Sequence, residues 1–234
     1  MNDRSLWITA AILAAGLVLA GLIVAGAVRE AAGTERFVEV KGLAEREVAA
    51  DLAIWPISYS LVAETLDELR AQLDRNDEAV VAFLKLNGFT DDELTRAPPH
   101  VTDRWLNAPL GAQPTPRYSA ERTLTLRSSR VEPVRQAMGD AAELISQGVP
   151  LKPDWGARTE FLFTQLEAIK PEMIAEATAD ARRAADQFAE DSGSTVGAIR
   201  RARQGYFSIN ERDPSSPQVK RIRVVTTIEY DLIH

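Results

Sequence analysis

From Leu6 to Val28 the chain reads LWITAAILAAGLVLAGLIVAGAV without one charged side chain, opened by Asp3-Arg4 and closed by Arg29-Glu30. As a helix this run spans about 33 Å, which matches a hydrocarbon core of about 30 Å. It reads as a transmembrane anchor over 6–28, begun by Leu6 and Trp7. A short leader, 1–5, precedes it and a linker, 29–36, follows. The other reading is a secretory signal cleaved after Ala25-Gly26-Ala27, with Arg4 as a minimal basic leader. Against that, the apolar run exceeds the roughly 7–15 residues of a signal core, and Asp3 offsets Arg4. Small residues sit four apart at Ala10/Ala14, Gly16/Ala20 and Gly21/Ala25. Such pairs let helices approach closely in lipid, although alanine-rich spans also produce them by chance. Arginines flank both ends, so the positive-inside rule does not orient the span. A single span behind a short leader places the large domain on the far side. The expectation is a single-pass protein of the inner membrane with its domain in the periplasm.

Composition narrows the rest. There is no cysteine, so disulfides, thiolate catalysis and cysteine zinc sites are excluded. The body outside the membrane must then hold together by core packing, and residues 37–234 are enough chain for that. The net charge of −7 lies entirely outside the anchor, and an acidic domain lacks the basic footprint that nucleic acid demands.

Along the body, Phe37 to Lys41 alternates and meets Gly42, the pattern of a first strand. Trp55, Ile57, Tyr59 and Leu61 recur at period two within 51–63, a second strand, with Pro56 predicting an edge or a bulge. Thr65-x-x-Glu68 opens a helix whose face holds Leu66, Leu69, Leu73, Val80, Phe83 and Leu84, with Gly88 closing it. Asn76 and Asp77 interrupt that face and are read as solvated at its margin; a polar contact with a neighbouring subunit is the sharper alternative. Residues 95–117 carry Pro98, Pro99, Pro109, Pro114 and Pro116 and form an extended excursion. Trp105 and Leu106 within it either staple the loop to the domain, if buried, or stand out as a docking tip, if exposed.

Tyr118 to Arg127 alternates again, with Arg122, Leu124 and Leu126 on one side. Ser129-x-x-Glu132 caps a helix with a stripe of Val131, Val134, Met138, Ala141, Ala142 and Ile145, ended by Gly148. A strand over 158–164 precedes a third helix reaching about Ser192, with Ile174, Ala177, Ala181, Ala184 and Phe188 inward and Pro171 near its start. Thr164-x-x-Glu167 caps this helix, and with Pro171 near its start the regular part is expected from about Lys170. Residues 195–209 and 219–233 read as two final strands around a polar loop. The sum is α+β: an N-terminal transmembrane helix, then a mainly antiparallel sheet domain with three long helices.

Val40-Lys41-Gly42-x-Ala44-Glu45-x-Glu47-Val48, followed by Ala50-Asp51-Leu52-Ala53, resembles the opening of the SIMPL-domain family, which includes the bacterial periplasmic immunogenic protein group. Pro116-Arg117-Tyr118 before a strand ending in Leu126-Arg127 agrees, as do the alanine-rich helix Ala177 to Phe188 and the hydrophobic last strand. The likeness covers Glu39 to Leu232. Two departures are the length of the stretch from Pro98 to Pro116 and the retained anchor. The resemblance implies an α+β protein of the export compartment that forms large ring- or channel-like homo-oligomers, with a link to oxidative and envelope stress. It implies no catalytic residues.

The residues themselves offer no chemistry to set beside that. His100 and His234 have no second ligand at metal spacing, and Asp91-Asp92-Glu93 is read as a solvated turn over a cation site. No phosphate loop, dinucleotide glycines or Gly-x-Ser-x-Gly is present. The expectation is therefore a non-enzymatic protein with no cofactor and no metal. Its partners are copies of itself, the bilayer through 6–28, and an envelope protein or ligand reached through the proline-rich loop at Trp105. Arg200, Arg201 and Arg203 are expected to pair across the last hairpin with Lys220, Arg221 and Arg223. That pairing makes either an electrostatic interface, for another subunit's Asp91–Glu93 or for anionic lipid, or a solvated face that discourages edge aggregation.

Overall fold

The computed structural model describes residues 13–25, 36–106, 108–109, 111–152 and 158–233. Residues 13–25 are helical (α1) and exposed throughout, including Gly16, Ala20, Gly21 and Ala25. Leu6 and Trp7, at the start of the proposed span, lie outside the described residues, as do 26–28. Among the described residues no helix is long and apolar enough to cross a membrane. The rest divides into two compact units. One comprises Ala44–Met173 and Tyr206–Val224, the other Ile174–Gly205, Val225 onward and the chain before Ala44.

In the larger unit β2 (Leu52–Ala63) and β5 (Tyr118–Ser128) pair antiparallel from Ala53↔Ser128 to Ala63↔Tyr118. The sheet order is β3-β5-β2-β6, with β3 (Leu94–Arg96) and β4 (His100–Asp103) both pairing with β5 and β6 (Glu160–Leu162) with β2. The alternation in the second strand is the burial pattern: Trp55, Ile57, Tyr59 and Leu61 are all inside, with Leu124 and Leu126 opposite. Pro56 sits inside β2 without a bulge. On its other side β6 covers only Leu52–Ile54, and Lys152 N next meets Ser58 O. Pro56 thus lies where that edge is open and its missing N–H costs no ladder bond.

Helix α2 (Leu66–Leu86) buries Leu69, Val80, Phe83 and Leu84, but Leu66 is exposed. Its cap is as the sequence predicts, Thr65 Oγ1 accepting from Glu68 N at 3.2 Å. The helix expected from Val131 to Ile145 is two: α3 (Val131–Gly139) and α4 (Ala142–Ser146). The break at Asp140-Ala141 resets the phase, so Leu144 is buried and Ile145 exposed. Arg130, not Ser129, occupies the cap of α3. Among the described residues the body therefore has two long helices, not three.

Helix α5 (Leu166–Asp191) carries Pro171 within it, so it starts a turn earlier than the proline suggests. Its buried row is Met173, Ala177, Ala181, Ala185 and Ala189, spaced by four, while Phe188 is exposed and Ala184 with it. A row at i, i+4 is the ridge one helix face presents to a partner in close packing.

In the smaller unit the strands are the start of β1 (Phe37–Ala49), the end of β9 (Val219–Ile233) and β7 (Thr195–Gln204), in the order β1-β9-β7. Val38, Ala181, Ala185, Ile228 and Tyr230 form the core, with Val40, Val196 and Leu232 against it. The first strand does not stop at Gly42. It runs through that residue because a side chain there would strike α5: an added Cβ would meet Ala181 Cβ at 2.8 Å, with Ala177 O and Ala181 N nearer still. Leu43 N then donates to Asp180 Oδ2 at 2.9 Å. The predicted strand 195–209 is two, β7 and β8 (Ser208–Glu211), each pairing with a different half of β9.

Candidate functional site

An enclosed polar cluster in the larger unit grows from a cross-strand pair. Tyr59 on β2 and Arg122 on β5 are register partners, so both side chains leave the same face of the sheet. That face lies under α2, and both reach Asp77 on it. Tyr59 Oη donates to Asp77 Oδ1 at 2.6 Å. Arg122 donates from Nη2 to Oδ2 at 2.6 Å and from Nε to Oδ1 at 3.3 Å. Arg122 Nη1 also donates to Ala97 O at 2.7 Å, binding the chain after β3. The Asp77 and Arg122 side chains are only 18% and 15% exposed. Asp77 is therefore not a solvated margin residue; it neutralises a guanidinium that the sheet would otherwise bury alone.

Burial, and then the hydrogen bond to Asp77, push the Tyr59 hydroxyl far above its ordinary value. It keeps its proton at every physiological pH. With the tyrosine locked and the carboxylate engaged at both oxygens, the cluster acts as a clamp of α2 onto the sheet. Beside it opens a groove of about 330 Å³ lined by Asp77, Glu78, Val81, Ala82, Lys85 and Arg96. Its two cations are both directed at Asp91, at 2.7 Å from Lys85 and 3.6 Å from Arg96.

The acidic triplet forms a short 3₁₀ turn. Beyond Asp91, Glu93 takes Arg130 at 2.7 Å. Burial raises the Glu93 carboxyl, but hydrogen bonds from Ser128, Thr90 N and Arg130 hold it below the usual range. Two of its three carboxylates already have cations from the same chain. Among the described residues no group of three or more His, Asp or Glu side chains is placed to hold a metal ion. His100 is exposed on β4, and His234 lies outside the described residues.

In the proline-rich loop Trp105 is not buried against the domain; its hydrogen bond ties one part of the loop to another. Its Nε1 donates to Pro114 O at 3.1 Å, and the Arg117 guanidinium lies 4.3 Å from its ring. Arg117 is fixed in turn by Asp103, at 2.6 Å from Nη2 to Oδ2 and 3.0 Å from Nε. Trp105 remains 37% exposed, while its neighbour Leu106 is 83% exposed. Of the two apolar residues that sequence reasoning singled out in this loop, Leu106 is thus the one that protrudes. A groove of about 480 Å³ opens in the same loop, lined mainly by Ala108, Pro109, Ala112 and Pro114 with Thr102, Arg104 and Gln113.

The arginines do not face one another across the final hairpin. Arg201 is opposite Glu229 and Arg203 opposite Thr227, whereas Lys220, Arg221 and Arg223 are opposite Glu211, Asn210 and Ser208. The reason is the break of the predicted strand at Gly205–Phe207, which gives each half of β9 its own partner. Arg221 pairs with Glu45 at 3.2 Å and Arg201 approaches Glu229 at 3.8 Å. Arg203 and Arg223 make no ion pair among the described residues and are exposed.

No curated protein matches this sequence. The family model described as SIMPL, protein of unknown function (DUF541), matches residues 38–229, which takes in both compact units from β1 nearly to the end of β9. The chain belongs to the SIMPL family.

Proposed function

We propose that this is a non-enzymatic, membrane-anchored envelope protein that assembles with copies of itself into a ring- or channel-like homo-oligomer, held at the inner membrane by residues 6–28 with its body in the periplasm. A link to oxidative or envelope stress is part of the same reading and rests on the family resemblance. The observation that carries self-assembly is β7. It ends the order β1-β9-β7, and every residue from Ala198 to Gln204 is exposed, Ile199 included. A long edge strand with so little cover is a template for another chain, and its arginines discourage indiscriminate pairing. A ring requires such contacts to be head-to-tail and to close.

Electron microscopy of the full-length protein in detergent tests the reading. A closed particle of defined symmetry supports it, and a monodisperse monomer refutes it. Reversal of Arg201 and Arg223 to Glu should weaken assembly if these arginines lie at the contact; unchanged particles would remove them from it.

A second reading is favoured by Leu106 and the apolar groove beside it: the loop docks an envelope protein or ligand. Loss of a co-purifying partner on Leu106→Asp or Trp105→Ala, with folding intact, would support this reading over the first.

A further inference from the structure

The anchor proposed above ends at Val28 and β1 begins at Phe37. Nine Cα-to-Cα steps can span at most about 30 Å. Whatever stands at the first residue of β1 is therefore kept within that distance of the bilayer. The Leu232 N–H donates to Arg36 O at 2.9 Å, which aligns the end of β9 with the start of β1. Thr195 is opposite Ile233, so β7 begins at the same end of the sheet. All three strands of the smaller unit's sheet thus terminate together at the tethered pole.

That pole is apolar and cationic by turns. Phe37 is 49% exposed and Ile233 54% exposed. Arg200 lies with its guanidinium 5.2 Å from the Phe37 ring, and Arg36 stands directly before it in the chain. An aromatic ring beside a guanidinium suits the boundary between phosphate headgroups and acyl chains. Asp231 and Glu39 lie nearby in sequence and limit the net charge, so the patch would bind a bilayer weakly from solution. A tether changes this. Holding the patch close to the surface raises its effective concentration, and weak contacts then become occupied without any new interaction.

We infer that the end of this sheet formed by Arg36, Phe37, Arg200 and Ile233 rests on the phospholipid surface from which the chain emerges, as a second membrane contact beside the anchor. This rests on the anchor reading. The chain has no cysteine, so a single nitroxide can be placed cleanly by Ile233→Cys in the full-length protein, with Tyr206→Cys as the solvent-exposed control. The probe is a vesicle of phosphatidylcholine and phosphatidylglycerol.

The label at 233 should lose about fivefold of its collisions with a water-soluble nickel complex while keeping those with oxygen, as expected for immersion at the headgroup level. The label at 206 should not change. Phe37→Asp with Arg200→Glu should return the 233 label to water while the protein still floats with the vesicles. A protein that floats with its 233 label in water overturns this inference and leaves the anchor standing. So does shielding that survives the double substitution. A protein that does not float at all removes the anchor, and the inference with it.

Discussion

Gly42→Ala is the substitution that most directly tests how β1 and α5 are held together. In the smaller unit the helix backbone lies directly against Gly42. An added Cβ falls on the hydrogen bond between Ala177 O and Ala181 N, and meets Ala181 Cβ at 2.8 Å. The obstructing atoms are backbone, so no rotamer change relieves them, and the helix must withdraw. Withdrawal loosens Val38 from Ala181 and Ala185, and it lengthens the 2.9 Å bond from Leu43 N to Asp180. Overpacking of this kind costs about 1–3 kcal/mol, and an exposed bond to a carboxylate adds about 1 kcal/mol. A loss of about 3 kcal/mol is a large share of the about 5–15 kcal/mol that holds a domain together.

Urea unfolding followed by far-ultraviolet dichroism measures the total loss, and hydrogen exchange at the Leu43 amide locates it. Gly139→Ala is the control of opposite sign. Gly139 ends α3 with nothing within 4 Å of a new Cβ, so alanine there should gain about 0.5–1 kcal/mol. A Gly42→Ala protein within about 0.5 kcal/mol of its parent, which is the scatter of ordinary surface substitutions, with Leu43 still protected, would refute the close approach.

Asp77→Asn should cost about 2–4 kcal/mol in the same denaturation experiment, because it leaves Arg122 enclosed without its counter-charge. Tyr59→Phe should cost only about 1 kcal/mol, since Arg122 still covers the carboxylate. The Asp103 carboxyl is held below its usual range by hydrogen bonds from Arg117. A depressed folded value favours the loop above the unfolded value, about pH 4. As pH falls through the folded value, Arg117 should leave the Trp105 ring. Tryptophan emission should report this, and Asp103→Asn should show the change already at neutral pH. Pro171→Ala restores a donor inside α5 and should raise stability by about 1–3 kcal/mol in thermal melts; no gain would mean the helix had already absorbed the break.

Much of the fold was legible because alternation and caps are local. Tyr118–Ser128 and Leu52–Ala63 are strands on the strength of their own pattern, and Thr65 caps its helix through a contact three residues away. What failed depends on the partner. Counting hydrophobic residues along α5 favours Phe188 over Ala185 for its inward row. Packing chose the alanines, because the helix comes too close at Gly42 for anything larger. Glycine after an alternating run reads as a stop when only the run is considered. Nothing short of the facing helix shows that it marks a point of contact. The final hairpin failed for a related reason: Gly205 splits what alternation alone joins, and its amide bonds Val225 O at 2.8 Å before the second strand begins.

The Asp77 clamp was within reach of the sequence, by an argument that uses two elements at once. One carboxylate on the apolar face of a helix is ambiguous, because it can sit at the margin in water. One arginine on the apolar face of a strand is equally ambiguous. Arg122 shares its side of β5 with Leu124 and Leu126, and Asp77 lies between Leu73 and Val80 on α2. If those two faces pack on each other, each charge is costly unless it meets the other. Interruptions of opposite sign on facing surfaces therefore predict both a salt bridge and the pairing of the elements. Tyr59 completes the same logic, since its register partner is Arg122 and a buried hydroxyl needs an acceptor. The groove beside the clamp has no such signature, because Lys85 and Arg96 come from separate elements that both turn toward Asp91. Its shape follows from where the helix is clamped, so the Asp77→Asn protein should lose the groove's geometry along with its stability.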